Sequence, residues 1–197
     1  MSDFYPEASR HLQDQFDTRR LADRIEQHLV ADRVGDSDRA FIEAADMFFL
    51  ATVDEAGQPS CSYKGGAPGF VRVVDPYTLA FPNYDGNGMF LSMGNIAQSR
   101  KVGMLLIDFE RPRRLRLSGD ARISPGDPLM RDYGEAQFIV RVAVTHVFPN
   151  CPRYIHQYRL VERSSYVPKT GSVTPIPAWK RSDWACDVLP EKDPARG

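Results

Sequence analysis

The chain has 197 residues, 42% hydrophobic and 26% charged, a composition that suits one sizeable globular core. Its formal charge of −1 and pI near 6.4 exclude a global field that would recruit nucleic acid or an anionic membrane surface. Cys61, Cys151 and Cys186 are too widely spaced for a zinc site or a redox pair. No apolar run nears the roughly 20 residues that span a bilayer, and Met1–Glu7 has no signal-peptide character, so a cytoplasmic location with no membrane partner is expected.

In chain order, Leu12, Phe16, Leu21, Ile25 and Leu29 recur at helical spacing, which predicts one amphipathic helix from about Ser9 to Ala31. Its mixed charges favour packing on its own domain or on a dimer mate. A break near Gly35 precedes a short second helix, capped by Ser37 or Asp38 and running through Ala45. Strands follow at Met47–Asp54 and Gln58–Lys64, then Phe70–Val74 and Thr78–Pro82, separated by turn residues. Met89, Leu91, Met93, Ile96 and Ala97 suit a short helix ending near Arg100. Val102–Phe109, Leu115–Ile123 and Phe138–Val147 complete the strands. Most connections are too short for parallel crossovers. The expected fold is mainly β, an antiparallel barrel of six or seven strands with flanking helices. The expected domains are a helical extension over 1–46, the barrel over 47–160, and a proline-rich extended arm over 161–197.

Three segments carry candidate chemistry. Ser62-Tyr63-Lys64-Gly65-Gly66 ends a strand on an ammonium followed by glycines that admit close backbone approach; alone, it equally describes a strand and a flexible loop. Asn83-Tyr84-Asp85-Gly86-Asn87-Gly88 lies between strand and helix, where N–H groups can form an anion nest beside a favourable helix dipole, or an ordinary tight turn. Ser92 and Asn95 offer further donors one turn on. Arg111, Arg113, Arg114 and Arg116 read equally as a charge-guarded edge strand or as a source of guanidinium for a phosphate. The histidines His11, His28, His146 and His156 have no ligand spacing, and no nucleophile–base pair stands out, so neither catalytic side chains nor a metal site are assigned.

Taken in order, Phe49-Leu-Ala-Thr-Val-Asp-x-x-Gly-x-Pro, Ser62-Tyr-Lys-Gly, Thr78-Leu-Ala-Phe-Pro-Asn-Tyr, Arg114-Leu-Arg-Leu-Ser-Gly and Cys151-Pro-Arg-Tyr-Ile resemble the pyridoxamine 5′-phosphate oxidase-like, FMN-binding split-barrel family. The resemblance implies a homodimer with FMN at the subunit interface. It places Ser62, Tyr63 and Lys64 along the flavin, with Lys64 at the phosphate, and Pro82 and Asn83 beside the ring or ribityl chain. It further places Asn87 and Gly88 at the phosphate turn and Arg114 with Leu115 near the isoalloxazine; Met89 and Ser92, just beyond that turn, are also expected to bind the cofactor. The authentic vitamin B6 oxidase has cations where Pro59, Asn87 and Gly88 stand here, and its C-terminal Arg-Leu-His motif is missing. The expectation is therefore an FMN-dependent oxidoreductase acting on a small molecule other than pyridoxine phosphate. The alternative is a non-catalytic binder of flavin, haem or a deazaflavin coenzyme on the same barrel.

Overall fold

The computed structural model describes residues 4–196. Helices α1 (Glu7–Gln15) and α2 (Arg19–Leu29) replace the single helix predicted over Ser9–Ala31. The chain reverses at Asp17, whose φ of 51° is a left-handed value that aspartate tolerates better than most residues. Arg10 then bridges the two helices, reaching Asp23 at 2.5 Å and Glu26 at 3.3 Å. The apolar periodicity is real, but Leu12, Phe16, Leu21 and Leu29 remain exposed and only Ala22 is buried. Helix α3 (Asp36–Ala44) starts one residue before the expected cap. Gly35 is its N-cap, and the Asp38 carboxylate accepts the Gly35 N–H at 3.3 Å.

Seven strands follow: β1 (Met47–Val53), β2 (Pro59–Gly65), β3 (Arg72–Asp75), β4 (Thr78–Tyr84), β5 (Lys101–Asp108), β6 (Arg113–Ser124) and β7 (Ala136–Pro149), with helix α4 (Leu91–Ser99) between β4 and β5. They form one antiparallel sheet in the order β2-β1-β5-β6-β7-β4-β3. Strand β4 runs two residues beyond the predicted Pro82, because Asn83 and Tyr84 pair with Phe138 and Ala136. Strand β2 is an edge and Pro59 is its first residue, a position where proline is tolerated in a sheet.

Alternation sorts the side chains. Phe48, Leu50 and Thr52 point into the core from β1, joined there by Leu79, Phe81, Leu106, Leu117, Ile139 and Val142. Phe48 meets Phe81 edge-on at 5.0 Å and stacks on Phe70 at 5.8 Å. The long β6–β7 pair slips register between Ser118 and Gly119. A Cβ on Gly119 would fall 2.4 Å from the Ala143 carbonyl oxygen, so only glycine permits this bulge and the bend that curls the sheet. Buried Asp127 and half-buried Arg141 lock the β6–β7 connection at 2.5 and 3.0 Å, and that hydrogen-bonded guanidinium holds the Asp127 carboxyl down to about 2. The result is a seven-stranded split barrel. Helix α4 packs against β1, β2, β5 and β6, burying Met93 and Ile96.

From Leu160 onward the chain forms a separate compact unit. It contains short 3₁₀ turns at Ala178–Arg181 and Pro194–Arg196. Within it Lys180 pairs with Asp193 at 2.7 Å, both side chains almost inaccessible, and Trp179 stacks on Trp184. Among the described residues, no helix is long and apolar enough to cross a membrane.

Candidate functional site

The alternation of β2 places its residues on two faces. Ser60, Ser62 and Lys64 pair with Thr52, Leu50 and Phe48, all buried, so they lie on the inner face. Because β2 has no further neighbour, these side chains open into a cleft of about 390 Å³, within the size range of small-ligand sites. The facing wall is the end of β4 with Asn83 and Tyr84, the loop Gly86–Phe90, and Gln137 from β7. Leu91, Ser92 and Met93, the first turn of α4, close the bottom.

Lys64 is half-buried, and desolvation pushes its ammonium below the usual lysine value. No carboxylate pairs with it among the described residues. Lys101 and Lys180, by contrast, sit 2.8 and 2.7 Å from Asp120 and Asp193. The first turn of α4 has no side-chain cap, so its leading N–H groups have no partner within the helix. Ser62 and Ser92 hydroxyls meet at 3.0 Å, linking β2 to that turn. An unpaired cation, two hydroxyls and a helix N-terminus thus converge on one cleft, an arrangement suited to a phosphate.

Of the residues expected to form a site, Ser62, Lys64, Asn83, Asn87, Gly88, Met89 and Ser92 all line this cleft. Their roles differ in detail from an anion nest at Asn83–Gly88. The Asn87 side-chain oxygen accepts the Met89 N–H at 3.1 Å, and the Asn83 amide donates to Gln137 at 2.9 Å, so both stabilise the loop. Asn95 turns away and donates to buried Thr52 at 3.0 Å. Pro82 is buried within β4 opposite Ile139.

Tyr63, Arg114 and Leu115 do not line the cleft. Leu115 is in the core, 3% exposed. Tyr63 pairs with Phe49, Phe49 with Leu105, and Leu105 with Arg116, a row on the outer face of the sheet. Arg114 shares that face, and its Nε is buried without a hydrogen-bond partner. The other arginines of the cluster are engaged elsewhere. Arg111 reaches Asp108, Arg113 donates to Ser37 and lies over Phe41, and Arg116 lies over Phe148. Within one chain Lys64 therefore has no help from them.

His146 lies beside Phe4 on β7, and exposed His156 and Cys151 follow the last strand; none lines the cleft. Among the described residues no cluster of His, Cys, Asp and Glu is arranged for a metal. Phe90 and Gln137 are cleft residues that sequence reasoning missed, and Tyr84, inside the Asn83–Gly88 segment, lines the cleft without having been singled out there. The signal for Gln137 was the pairing of β7 with β4, 54 positions apart at the Asn83–Gln137 hydrogen bond.

The sequence pattern described as pyridoxamine 5′-phosphate oxidase matches residues 35–163, about two thirds of the chain. No curated protein matches the chain in sequence. Among solved structures, a protein assigned as a pyridoxamine 5′-phosphate oxidase from Lactobacillus delbrueckii is 20% identical, with TM-score 0.50, covering 60% of this chain and 95% of its own. HupZ from Group A Streptococcus is 20% identical, with TM-score 0.48, covering 59% of this chain and 93% of its own. An FMN-binding protein from Syntrophomonas wolfei is 9% identical, with TM-score 0.45, covering 71% and 97%. At this identity the likeness to the Lactobacillus delbrueckii protein speaks to the fold alone. The match over residues 35–163, on a seven-stranded split barrel, shows that the chain belongs to the pyridoxamine 5′-phosphate oxidase family.

Proposed function

We propose that the protein binds FMN and uses it as an oxidoreductase on a small-molecule substrate. The observation that carries this reading is Lys64, a half-buried ammonium without a carboxylate partner among the described residues, in the same cleft as the uncapped start of α4. A buried cation is costly until an anion meets it, and a phosphate would satisfy it together with the α4 N–H groups. Ser62 and Ser92 hydroxyls would add donors, while Asn83, Asn87, Gly88 and Met89 would form the rim. A Cβ on Gly86 or Gly88 would meet nothing within 4 Å, so the loop leaves open space beside the cleft.

The outer face supports a homodimer with flavin at its interface. Met47, Phe49, Leu105 and Ile107 are only half-buried there, and the orphaned Arg114 Nε is a donor awaiting an acceptor. Tyr63 and Arg114 would then reach the ring from the second copy rather than from the chain whose cleft holds it. Bound flavin supplies hydride or electron transfer, and the chain's own residues hold and orient it.

The test is the absorption spectrum of the purified protein before and after incubation with FMN. Bound flavin bands are expected. Protein that stays colourless after incubation overturns the reading. Reduction of the bound flavin by a nicotinamide donor, followed by reoxidation with a small-molecule acceptor, separates turnover from mere carriage.

A further inference from the structure

Phe90 immediately precedes α4, where a chain normally adopts extended backbone. Here it takes φ 50° and ψ 23°, left-handed values that a bulky aromatic residue rarely adopts. Arg100 also has positive φ, but it ends the helix, where a left-handed residue commonly closes the last turn. Glycine is the unstrained choice at position 90. Burial does not explain phenylalanine there, because the residue is 48% exposed. Its ring faces Phe138 at 6.5 Å with an interplanar angle of 30°, and it lines the cleft that holds Lys64. Phe138 lies across from Asn83, so the pair is fixed to the β4–β7 ladder.

Building on the FMN reading above, we infer that Phe90, backed by Phe138, is a stacking wall for the flat heteroaromatic ring of the ligand in this cleft. Strained backbone persists at ligand clamps when the surroundings over-determine it. A ring held in place before binding loses little rotamer freedom when the ligand stacks on it. The cleft thereby recognises two parts of one ligand, the anionic group at Lys64 and the ring at Phe90.

Two variants test this. Phe90→Gly removes the ring and relieves the backbone; Phe90→Ala removes the ring and keeps the strain. The melting temperature of the ligand-free protein and the affinities for FMN and for inorganic phosphate are measured for each. Phe90→Gly is expected to melt no lower than Phe90→Ala. Both should bind FMN roughly three- to tenfold more weakly, the range of one aromatic stack, with phosphate affinity unchanged. Unchanged FMN affinity in both variants overturns the inference. So does a phosphate affinity that falls in step with that for FMN, because Phe90 would then only shape the loop. Wild-type protein that binds no FMN overturns the parent reading and this one together, whereas insensitive variants of a flavin-binding wild type overturn only this one.

Discussion

At its C-terminal end α4 is tied down: Asn95 donates to buried Thr52, Ser99 donates to the Val53 carbonyl at 2.7 Å, and left-handed Arg100 closes the last turn onto Ile96. At its N-terminal end no side chain caps the helix, Phe90 is strained, and the leading N–H groups line a cleft opposite an unpaired lysine. The same nine-residue helix therefore has one end made for anchorage and one left with unmet donors. The contrast directs attention to the open end, because what sets it apart is not the missing cap alone but the half-buried Lys64 in the same cleft.

Substitutions at the two ends should separate binding from stability. The largest effect on binding is expected from Lys64→Ala, which removes the unpaired charge. A charge-assisted contact of about 1.5–3 kcal/mol corresponds to roughly a 10- to 150-fold loss of FMN affinity, read by fluorescence titration, with little change in melting temperature. At the anchored end, Asn95→Ala leaves the Thr52 hydroxyl, 4% exposed, without its donor. It should destabilise the fold by about 1–3 kcal/mol in denaturant titrations, while the remaining folded protein binds FMN normally. A loss of FMN affinity with intact stability would erase the distinction between the ends. Ser92→Ala, back at the open end, should cost about 1 kcal/mol of binding, a several-fold weakening.

The dependence on pH follows from the same lysine. Burial pushes the Lys64 ammonium below the usual lysine value in the free protein, so the cation is lost at a lower pH than in free lysine. A bound phosphate raises that value again, which couples binding to proton uptake. FMN affinity should thus fall as pH rises through the Lys64 value of the free protein, and Lys64→Ala should abolish this alkaline fall. An unaltered alkaline fall in the variant would assign the titration to another group.

The barrel was legible because alternation in β1, β6 and β7 reports directly which face of a strand is buried. The α1–α2 break was not, since helical spacing continues from Phe16 to Leu21 across a reversal made by one residue, Asp17. Lys64 and the loop before α4 could be read in sequence because a lysine, glycines and a helix start are local features. Gln137 could not, because it reaches the cleft only through β4–β7 pairing. The resemblance grouped Tyr63, Arg114 and Leu115 with Lys64, yet in one chain the sheet separates them onto the outer face and the core.

The proposed phosphate site sets Lys64 in the cleft between β2 and α4. The most direct measurement compares the affinities of FMN and riboflavin, which differ only in that phosphate, for the wild-type protein and for Lys64→Ala. FMN should bind the wild type at least roughly 30-fold more tightly than riboflavin, and most of that gap should vanish in the variant. Equal affinities for the two flavins in the wild type, or a gap untouched by Lys64→Ala, would contradict the account.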